Sequence, residues 1–392
     1  MTFEPVRIGI VGLGRAFMLT LPAFKIDPRV QLVAACAPRL ESRLAFQKEF
    51  GGQTYDNIMD ICEDKNIEVL YIATPHQFHA EHVLAAAKSG KHVLVDKPLA
   101  ISIEDGKKMV TACEQSHVHL IVGPSHSFDA PVLQARALID SGELGAVRMI
   151  NAMNYTDFLY RPRRPEELMT SEGGGVIFSQ AVHQIDIVRL LAGGMGKQVS
   201  AMTGNWDAER PTEGAYSALV SFENGVFASL IYSGYAHFDS DEWMDNVNEL
   251  GYDKAPENYG TARRTLKEGK ASQTEAELKQ NRAFGASSIA SPPTHHEHFG
   301  PIIVSCEHAD IRLTPDGIWI YKNESYRFEP ALEIPNPRTP VIDAIVNAVR
   351  NNKPPIQTGR WGLASLEICH AILDSARSSA PVTLHQQISI DN

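Results

Sequence analysis

The sequence has few cysteines and no arrangement of them that suggests a metal or disulfide framework. The 392 residues include five cysteines, an odd number, and no two of them form a Cys-x-x-Cys pair. They are therefore predicted to be reduced packing residues in a reducing compartment. No apolar run approaches the roughly 18 residues of a membrane span. Glu4, directly before the first apolar segment, is unlike a signal peptide. We expect a cytoplasmic protein that does not enter a membrane.

The sequence also lacks an excess of basic residues. Its formal net charge is -11 and its isoelectric point is about 5.8. A nucleic acid or an anionic membrane surface requires a basic face, so neither is an expected partner. A small-molecule ligand is more compatible with this charge. The length exceeds what one ordinary core organises, which predicts two domains.

Short apolar runs alternate with helical patterns in the first third of the chain. The alternation predicts an α/β fold with a doubly wound parallel sheet, because strands covered on both faces are apolar throughout. Helical patterns at 80–90 and 102–116 separate the later runs, and the predicted domain covers residues 1–123. The five runs are VRIGIV (6–11), VQLVAACA (30–37), VLYIAT (69–74), HVLVD (92–96) and HLIVG (119–123).

A glycine-containing turn, GLGRAF, follows the first predicted strand and opens a helix. In this position backbone N–H groups and the positive end of the helix can bind a pyrophosphate, which predicts dinucleotide binding. Phe17 replaces the third glycine of the motif, so the helix is expected to pack less closely on the strand at that point. The predicted cofactor residues of the turn are Gly12, Leu13, Gly14, Arg15, Ala16 and Phe17.

The second predicted strand ends without the acidic residue that usually binds the ribose of NAD. The residues there are Ala37, Pro38 and Arg39. Arg39 can bind a 2′-phosphate, or it can be a solvated residue that opens the next helix. The cofactor is therefore NAD or NADP, with the choice left open.

Two polar segments follow the third and fourth predicted strands. Ligands of open α/β sheets bind beside the carboxyl ends of the strands, so we expect both segments to border the nicotinamide. The position of Lys97 at this crevice favours a role in the site over simple exposure to solvent. The predicted cofactor residues here are Thr74, Pro75, His76, His79, Asp96 and Lys97.

His183 lies within the stretch SEGGGVIFSQAVHQID. On a helix it falls among Val176, Ile187 and Leu190, at spacings of seven, four and three residues. By itself, this pattern favours a core histidine bonded to a backbone carbonyl.

The motifs together alter that interpretation. GLGRAF, ATPHQFHAEHV, DKP and GGGVIFSQAVHQID resemble, in order and separation, the Gfo/Idh/MocA family of NAD(P)-dependent oxidoreductases. The resemblance implies an N-terminal Rossmann domain and a C-terminal α/β domain with an open, mostly antiparallel sheet. It also implies catalytic roles for Lys97 and His183. Asp96 replaces the usual glutamate, and Ser179 replaces the aspartate of an Asp-x-x-x-His pair, which puts the usual contact with a sugar hydroxyl in doubt.

Two further segments suggest the substrate. NYTDFLYRPRRPEE contains Tyr155, Arg161 and Arg164, and arginine forks bind carboxylates. An exposed basic loop is the alternative. With His126, Ser179 and the two catalytic residues, these are the predicted substrate-binding positions. The chain most resembles the branch that dehydrogenates cis-dihydrodiols of aromatic carboxylates, such as phthalate dihydrodiols. A sugar or inositol dehydrogenase, an NAD-dependent glycosidase and a non-catalytic dinucleotide sensor are the alternatives.

The second predicted domain covers residues 124–392. It contains a hairpin at Asn224-Gly225, a polar insertion at about 238–299 and a last helix at about 360–378. The insertion is expected to be an arm or lid, or else a mobile surface segment. Histidine groups at 76–82 and 294–298 suggest a metal only weakly, so no metal is predicted. The resemblance implies a homodimer or homotetramer formed through the C-terminal sheet.

Overall fold

The computed structural model describes residues 4–270 and 272–390. Within these residues the strands form two sheets, one of six strands and one of nine. The strands are β1 (Val6–Val11), β2 (Val30–Cys36), β3 (Gln53–Tyr55), β4 (Val69–Ile72), β5 (His92–Val95), β6 (Leu120–Val122), β7 (Val147–Tyr155), β8 (Gly196–Gly204), β9 (Ala215–Phe222), β10 (Phe227–Ser233), β11 (Ile302–Cys306), β12 (Asp310–Thr314), β13 (Gly317–Tyr321), β14 (Tyr326–Pro330) and β15 (Val382–Thr383).

The structure describes eleven α-helices. None of those described has both the length and the hydropathy needed to cross a membrane. They are α1 (Arg15–Ile26), α2 (Leu40–Phe50), α3 (Ile58–Glu63), α4 (His79–Lys88), α5 (Ile103–Gln115), α6 (Ala130–Asp140), α7 (Val182–Ala192), α8 (Thr261–Gly269), α9 (Glu275–Gln280), α10 (Thr339–Asn351) and α11 (Gly359–Ser378).

The first sheet confirms the predicted parallel, doubly wound architecture. Its order is β3-β2-β1-β4-β5-β6, and all its pairings are parallel. Four of the five predicted apolar runs form its interior strands β2, β1, β4 and β5, since burial on both faces requires uninterrupted apolar residues, and the fifth run forms the edge strand β6. The sequence analysis missed β3, a polar three-residue strand at the sheet edge that has no hydrophobic pattern of its own.

The second sheet is mostly antiparallel, as expected, with the order β14-β13-β12-β11-β7-β10-β9-β8-β15. Only the β7–β10 pairing is parallel among its described strands. The predicted hairpin at Asn224-Gly225 is present between β9 and β10. Phe222 and Val226 close a three-residue loop in which Gly225 alone has a positive φ, of 87°. This geometry matches a turn followed by a glycine bulge.

The described chain forms two compact units that are not continuous in sequence. The first contains the parallel sheet through Pro124 and adds Ala276–Pro292 and Arg338–Leu363. The second contains Ser125–Glu275, Pro293–Pro337 and the chain from Ala364 onward. The predicted division into residues 1–123 and 124–392 stays a prediction.

The polar insertion contains more structure than its sequence pattern suggested. It forms α8, α9 and short 3₁₀ turns. Residues 276–292, here called the strap, belong to the first unit. Phe284 is the anchor of the strap: its N–H donates to Leu13 O at 3.1 Å, and its ring packs against Phe17, Phe46 and Phe50. This part of the insertion is a packed element of the first unit.

Candidate active site

The glycine turn has the geometry that the motif predicts. Gly12 has a φ of 98°, and a Cβ there would lie 2.7 Å from Ala73 O, so a side chain is excluded. Gly14 precedes α1, and no side chain caps the start of that helix. A Cβ on Gly14 would meet nothing within 4 Å. Open space beside uncapped N–H groups at a helix start fits the pyrophosphate of a dinucleotide.

Phe17, which replaces the third glycine of the motif, packs in the core of the first unit. Its side chain is fully buried, and its ring lies 5.5 Å from that of Phe284. The strap therefore supplies apolar packing beside the helix that opens with the motif.

The loop after β2 places two arginines near the expected ribose position. Arg39 Nη2 donates to Ser42 Oγ at 2.8 Å, and Ser42 Oγ donates to Phe284 O at 3.1 Å. Arg43 Nη1 donates to the carbonyls of Ala37 and Pro38. These contacts organise the loop without introducing a carboxylate at its tip, so both NAD and NADP remain compatible with it.

Asp96 and Lys97 follow β5 directly. Tyr71 Oη donates to Asp96 Oδ2 at 3.1 Å, and Tyr71 lies 3.4 Å from Thr20 Oγ1, which accepts from Arg338. Burial raises the pKa of Asp96, against the opposing charges of Lys97, His79 and Arg338. Hydrogen bonds thus connect the Asp-Lys-Pro motif through Tyr71 to Thr20 of α1, and Thr20 in turn to Arg338.

His79 lies in the same region, but it is fully buried. Its Nδ1 lies 2.9 Å from Pro98 O and its Nε2 lies 3.0 Å from Thr74 O. Burial lowers the pKa of His79. A side chain enclosed in this way exposes no surface of its own, and its contact with a cofactor stays a prediction. His79 instead ties the loop after β4 to the loop after β5.

The remaining residues of the loop after β4 keep their predicted position. Thr74, Pro75 and His76 are partly exposed and lie at the carboxyl end of that strand. Thr74 Oγ1 lies 3.1 Å from His82 Nδ1, so His82 supports this loop from α4. Contact between these residues and a nicotinamide stays a prediction.

His183 lies in the first turn of α7, directly after a π-helical turn at Ile177–Ala181. Val176, Ile187 and Leu190 are fully buried, which confirms the apolar face, whereas His183 is only partly buried. The sequence analysis assumed one continuous α-helix and missed the π turn. The wider i→i+5 bonding changes the angle between Ser179 and His183, and such turns are frequent at functional sites.

The neighbours of His183 come from distant segments of the second unit. Its ring centroid lies 4.7 Å from that of His126 and 5.2 Å from that of Phe299. Asp186, three residues after His183, accepts a hydrogen bond from Ser127 Oγ at 2.5 Å. His183 therefore stands in a cluster of aromatic and polar side chains beside the apolar face of α7.

His126, a predicted substrate residue, is buried and ion-paired. Its Nδ1 lies 2.7 Å from Asp129 Oδ2. Burial opposes the charged imidazole, but Asp129, Glu297 and Glu249 outweigh burial and raise the pKa of His126. Sequence reasoning did not connect any of these three carboxylates with His126. Asp129 lies only three residues away and was the one that spacing could have revealed.

The predicted arginine clamp is already engaged with carboxylates of the protein. Arg161 lies 3.4 Å from Glu249 and 3.6 Å from Asp157. Arg164 Nε lies 3.0 Å from Glu166 and also approaches Glu167. A substrate carboxylate would have to compete with these partners.

Tyr155 ends β7. Its ring centroid lies 6.2 Å from that of Phe238, at the start of the insertion. This contact places the predicted aromatic residue beside the insertion and leaves its substrate role a prediction.

Comparison with known proteins assigns the chain to a family. Residues 6–124 match the model of an oxidoreductase family with an NAD-binding Rossmann fold, and residues 132–249 match the GFO/IDH/MocA C-terminal domain. A 1-carboxy-3-chloro-3,4-dihydroxycyclohexa-1,5-diene dehydrogenase of Comamonas testosteroni is 47% identical, over 95% of each chain. The chain belongs to the Gfo/Idh/MocA family of oxidoreductases.

The chain is also similar to three further proteins. The NAD⁺-dependent scyllo-inositol 2-dehydrogenase of Bacillus subtilis is 25% identical, over 97% of this chain and 96% of its own. A solved protein from Bordetella bronchiseptica RB50, named only as a dehydrogenase, is 42% identical, with a TM-score of 0.92 over 97% of this chain and all of its own. Levoglucosan dehydrogenase in complex with NADH and levoglucosan shares the fold, with a TM-score of 0.73 and 19% identity over the same shares. The cofactor domain is an NAD-binding Rossmann fold, and the protein is an oxidoreductase.

Proposed function

We propose that the protein is an NAD(P)-dependent dehydrogenase that oxidises a cis-dihydrodiol of an aromatic carboxylate to the corresponding catechol. The observation that carries this proposal is the 47% identity, over 95% of both chains, to a dehydrogenase of a carboxylated dihydroxycyclohexadiene. That relative acts on a ring that carries both a carboxylate and two adjacent hydroxyls, as its name states. The same substrate class was favoured by the sequence motifs.

The reaction removes two electrons and two hydrogens from the ring. When bound, the nicotinamide supplies the acceptor for the hydride that leaves the carbinol carbon. A base removes the hydroxyl proton, and the resulting hydroxyenone tautomerises to the aromatic catechol. The chain therefore has to orient the reacting carbon and accept one proton.

Lys97 and His183 are the proposed proton-handling residues. Lys97 follows β5, at the edge of the sheet where Rossmann domains bind the reactive part of the cofactor. His183 is partly exposed at the start of α7, with its imidazole beside a second histidine. An imidazole that titrates near neutrality is suited to accept a hydroxyl proton.

The substrate carboxylate remains assigned to Arg161 and Arg164 as a proposal. Their pairing with Glu249 and Glu166 weakens the support for a preformed clamp. Binding of a substrate carboxylate would require at least one of these pairs to open.

The second candidate is an inositol or sugar dehydrogenase. The observation that favours it is the similarity to scyllo-inositol 2-dehydrogenase along nearly the whole chain. Ser179 counts against it, since a hydroxyl replaces the carboxylate expected to bind a sugar hydroxyl.

The deciding experiment follows nicotinamide absorbance with NAD⁺ and NADP⁺. The panel contains cis-dihydrodiols with and without a ring carboxylate, inositols, and an aryl glycoside. We expect reduced cofactor to accumulate with carboxylated dihydrodiols. Faster turnover of inositols would replace the proposal with the second candidate. Phenol release without net reduction would indicate a glycosidase, and binding of dinucleotide without any turnover would indicate a sensor.

We also propose that the enzyme is a cytoplasmic homodimer or homotetramer formed through the second sheet. Neighbouring strands expose large apolar side chains on one face of this sheet, where a monomer would leave them in water. Light scattering coupled to size exclusion should report a dimer or tetramer, and Leu219→Asp should shift it towards monomer. The exposed residues are Met202, Leu219, Phe227 and Ile303.

A further inference from the structure

Two histidines from separate segments of the second unit are in ring contact. His126 lies in the turn after β6, His183 lies at the start of α7, and their centroids are 4.7 Å apart at an interplanar angle of 68°. Phe299, from the chain before β11, packs at 5.2 Å against both rings. The edge-to-face packing fixes the two imidazoles relative to each other.

His126 is paired through its Nδ1 with a carboxylate at hydrogen-bond distance. Asp129 Oδ2 lies 2.7 Å from His126, and both side chains are nearly buried, with exposed fractions of 10% and 6%. A buried ion pair of this length favours the charged form of the imidazole.

Two further carboxylates act on His126 in the same direction as Asp129. Glu297 and Glu249 favour its protonated form, although Arg161 partly compensates Glu249. His298 Nε2 donates to Val247 O, and its Nδ1 accepts from Gly300 N–H. These two bonds satisfy a neutral His298, so it adds no positive charge beside His126.

We propose that His126, held by Asp129, is a positioning residue that keeps His183 uncharged at neutral pH and so able to accept the substrate proton. A second positive charge beside an imidazolium is unfavourable, because two like charges in contact oppose each other's ionisation. The neutral His183 is the form that a general base requires. Asp129 acts through His126, and His126 acts through His183.

This inference rests on the proposed function for its catalytic meaning, but its electrostatic core can be tested without substrate. The full-length chain is labelled with ¹³C-histidine, and the imidazole signals are titrated by NMR in the absence of ligand. The His183 signal is identified by its loss in His183→Asn. In His126→Gln the midpoint of His183 should rise by on the order of one pH unit, since the neighbouring charge is gone.

A second variant tests the pairing. Asp129→Asn should lower the titration midpoint of His126 itself, because the ion pair is lost. Asp140→Asn is the matched control, since it removes one carboxylate from the last turn of the same helix, where Asp140 is 57% exposed. The control should leave both midpoints within about 0.2 units.

Kinetics provide a separate readout. The acidic limb of the kcat/KM profile should move to higher pH in His126→Gln, with kcat near the alkaline plateau reduced less than tenfold. An unchanged or lowered His183 midpoint would overturn the proposal. A uniform loss of kcat at every pH, without movement of the limb, would also overturn it, because His126 would then serve the reaction directly. If no dehydrogenase activity is found, the NMR titration still decides the coupling, and only the proposed function fails.

Discussion

The two predicted catalytic residues have surroundings of different origin. Lys97 adjoins a polar chain in which Asp96, Tyr71 and Thr20 follow one another by hydrogen bonds. His183 instead adjoins a cluster of rings supported by an ion pair. The first arrangement comes from strand ends that a parallel sheet brings together by necessity. The second depends on loops that are distant in sequence, so its composition can vary more freely with the substrate.

The largest expected effect is at Lys97. Lys97→Ala should lower kcat by on the order of 10³-fold, since the residue is placed for the chemical step, while dinucleotide affinity changes less than about threefold. Single-turnover absorbance and a fluorescence titration with NADH measure the two quantities. Lys107→Ala, at an exposed lysine of the same unit, is the control. Unchanged turnover would remove Lys97 from the mechanism.

A somewhat smaller effect is expected at His183. His183→Asn should lower kcat by roughly 10²-fold, because water or Lys97 can replace part of the lost base. Dinucleotide affinity should be retained. His385→Asn, at an exposed histidine of the same unit, should have no effect on turnover. If His183→Asn has the same single-turnover rate as the wild type, His183 has no part in proton transfer.

Arg161 tests whether the ion pairs of the second unit serve stability or substrate binding. Arg161→Ala leaves Glu249 without its partner, but Arg161 is 36% exposed, so screening by solvent limits the loss of unfolding free energy to about 1–3 kcal/mol. Urea unfolding measures this loss. Arg161→Ala with Glu249→Gln should recover most of it. A raised KM for carboxylated substrates alone, in the double variant, would support the clamp, and an equal rise for uncharged diols would contradict it.

His298 gives the smallest effect, and its sign follows from burial. Burial lowers the pKa of His298 to about 4, below its ordinary value of 6.5. Above pH 6.5 the group is neutral in both folded and unfolded chains. As the pH falls towards 4 the unfolded chain takes up the proton first, so the free energy of unfolding decreases, by about 1–2 kcal/mol at pH 5.5. Unfolding curves of His298→Gln should lack this component, and an identical pH dependence would contradict it.

The sequence predicted most strands of the parallel sheet because their signals are local. Val6–Val11, the turn at Gly12 and the position of Lys97 follow from strand composition and from the requirement for a residue without Cβ. The edge strand Gln53–Tyr55 was missed, since an edge strand of three residues needs no apolar pattern.

The candidate site of the second unit was only partly predictable. The prediction that Val176, Ile187 and Leu190 form a buried face is confirmed, because burial of one helix face produces a periodic apolar pattern in the sequence. The π turn before His183 produces no such pattern, so it was not predicted. The pairing of Arg161 with Glu249 joins positions 88 residues apart, and no local spacing indicates a contact of that kind.

The discontinuity of the first unit has a consequence for the biosynthesis of the protein. A fragment that ends at residue 123 would contain all six strands of the parallel sheet, yet it would lack the Phe284 anchor and the Arg350 guanidinium that binds both carboxylate oxygens of Glu68. During synthesis on the ribosome, the first unit is complete only when the chain extends to Leu363, roughly tens of seconds after residue 123 at ordinary elongation rates. During that interval its apolar surface is only partly covered, because the strap and the helix that carries Arg350 have not yet been synthesised.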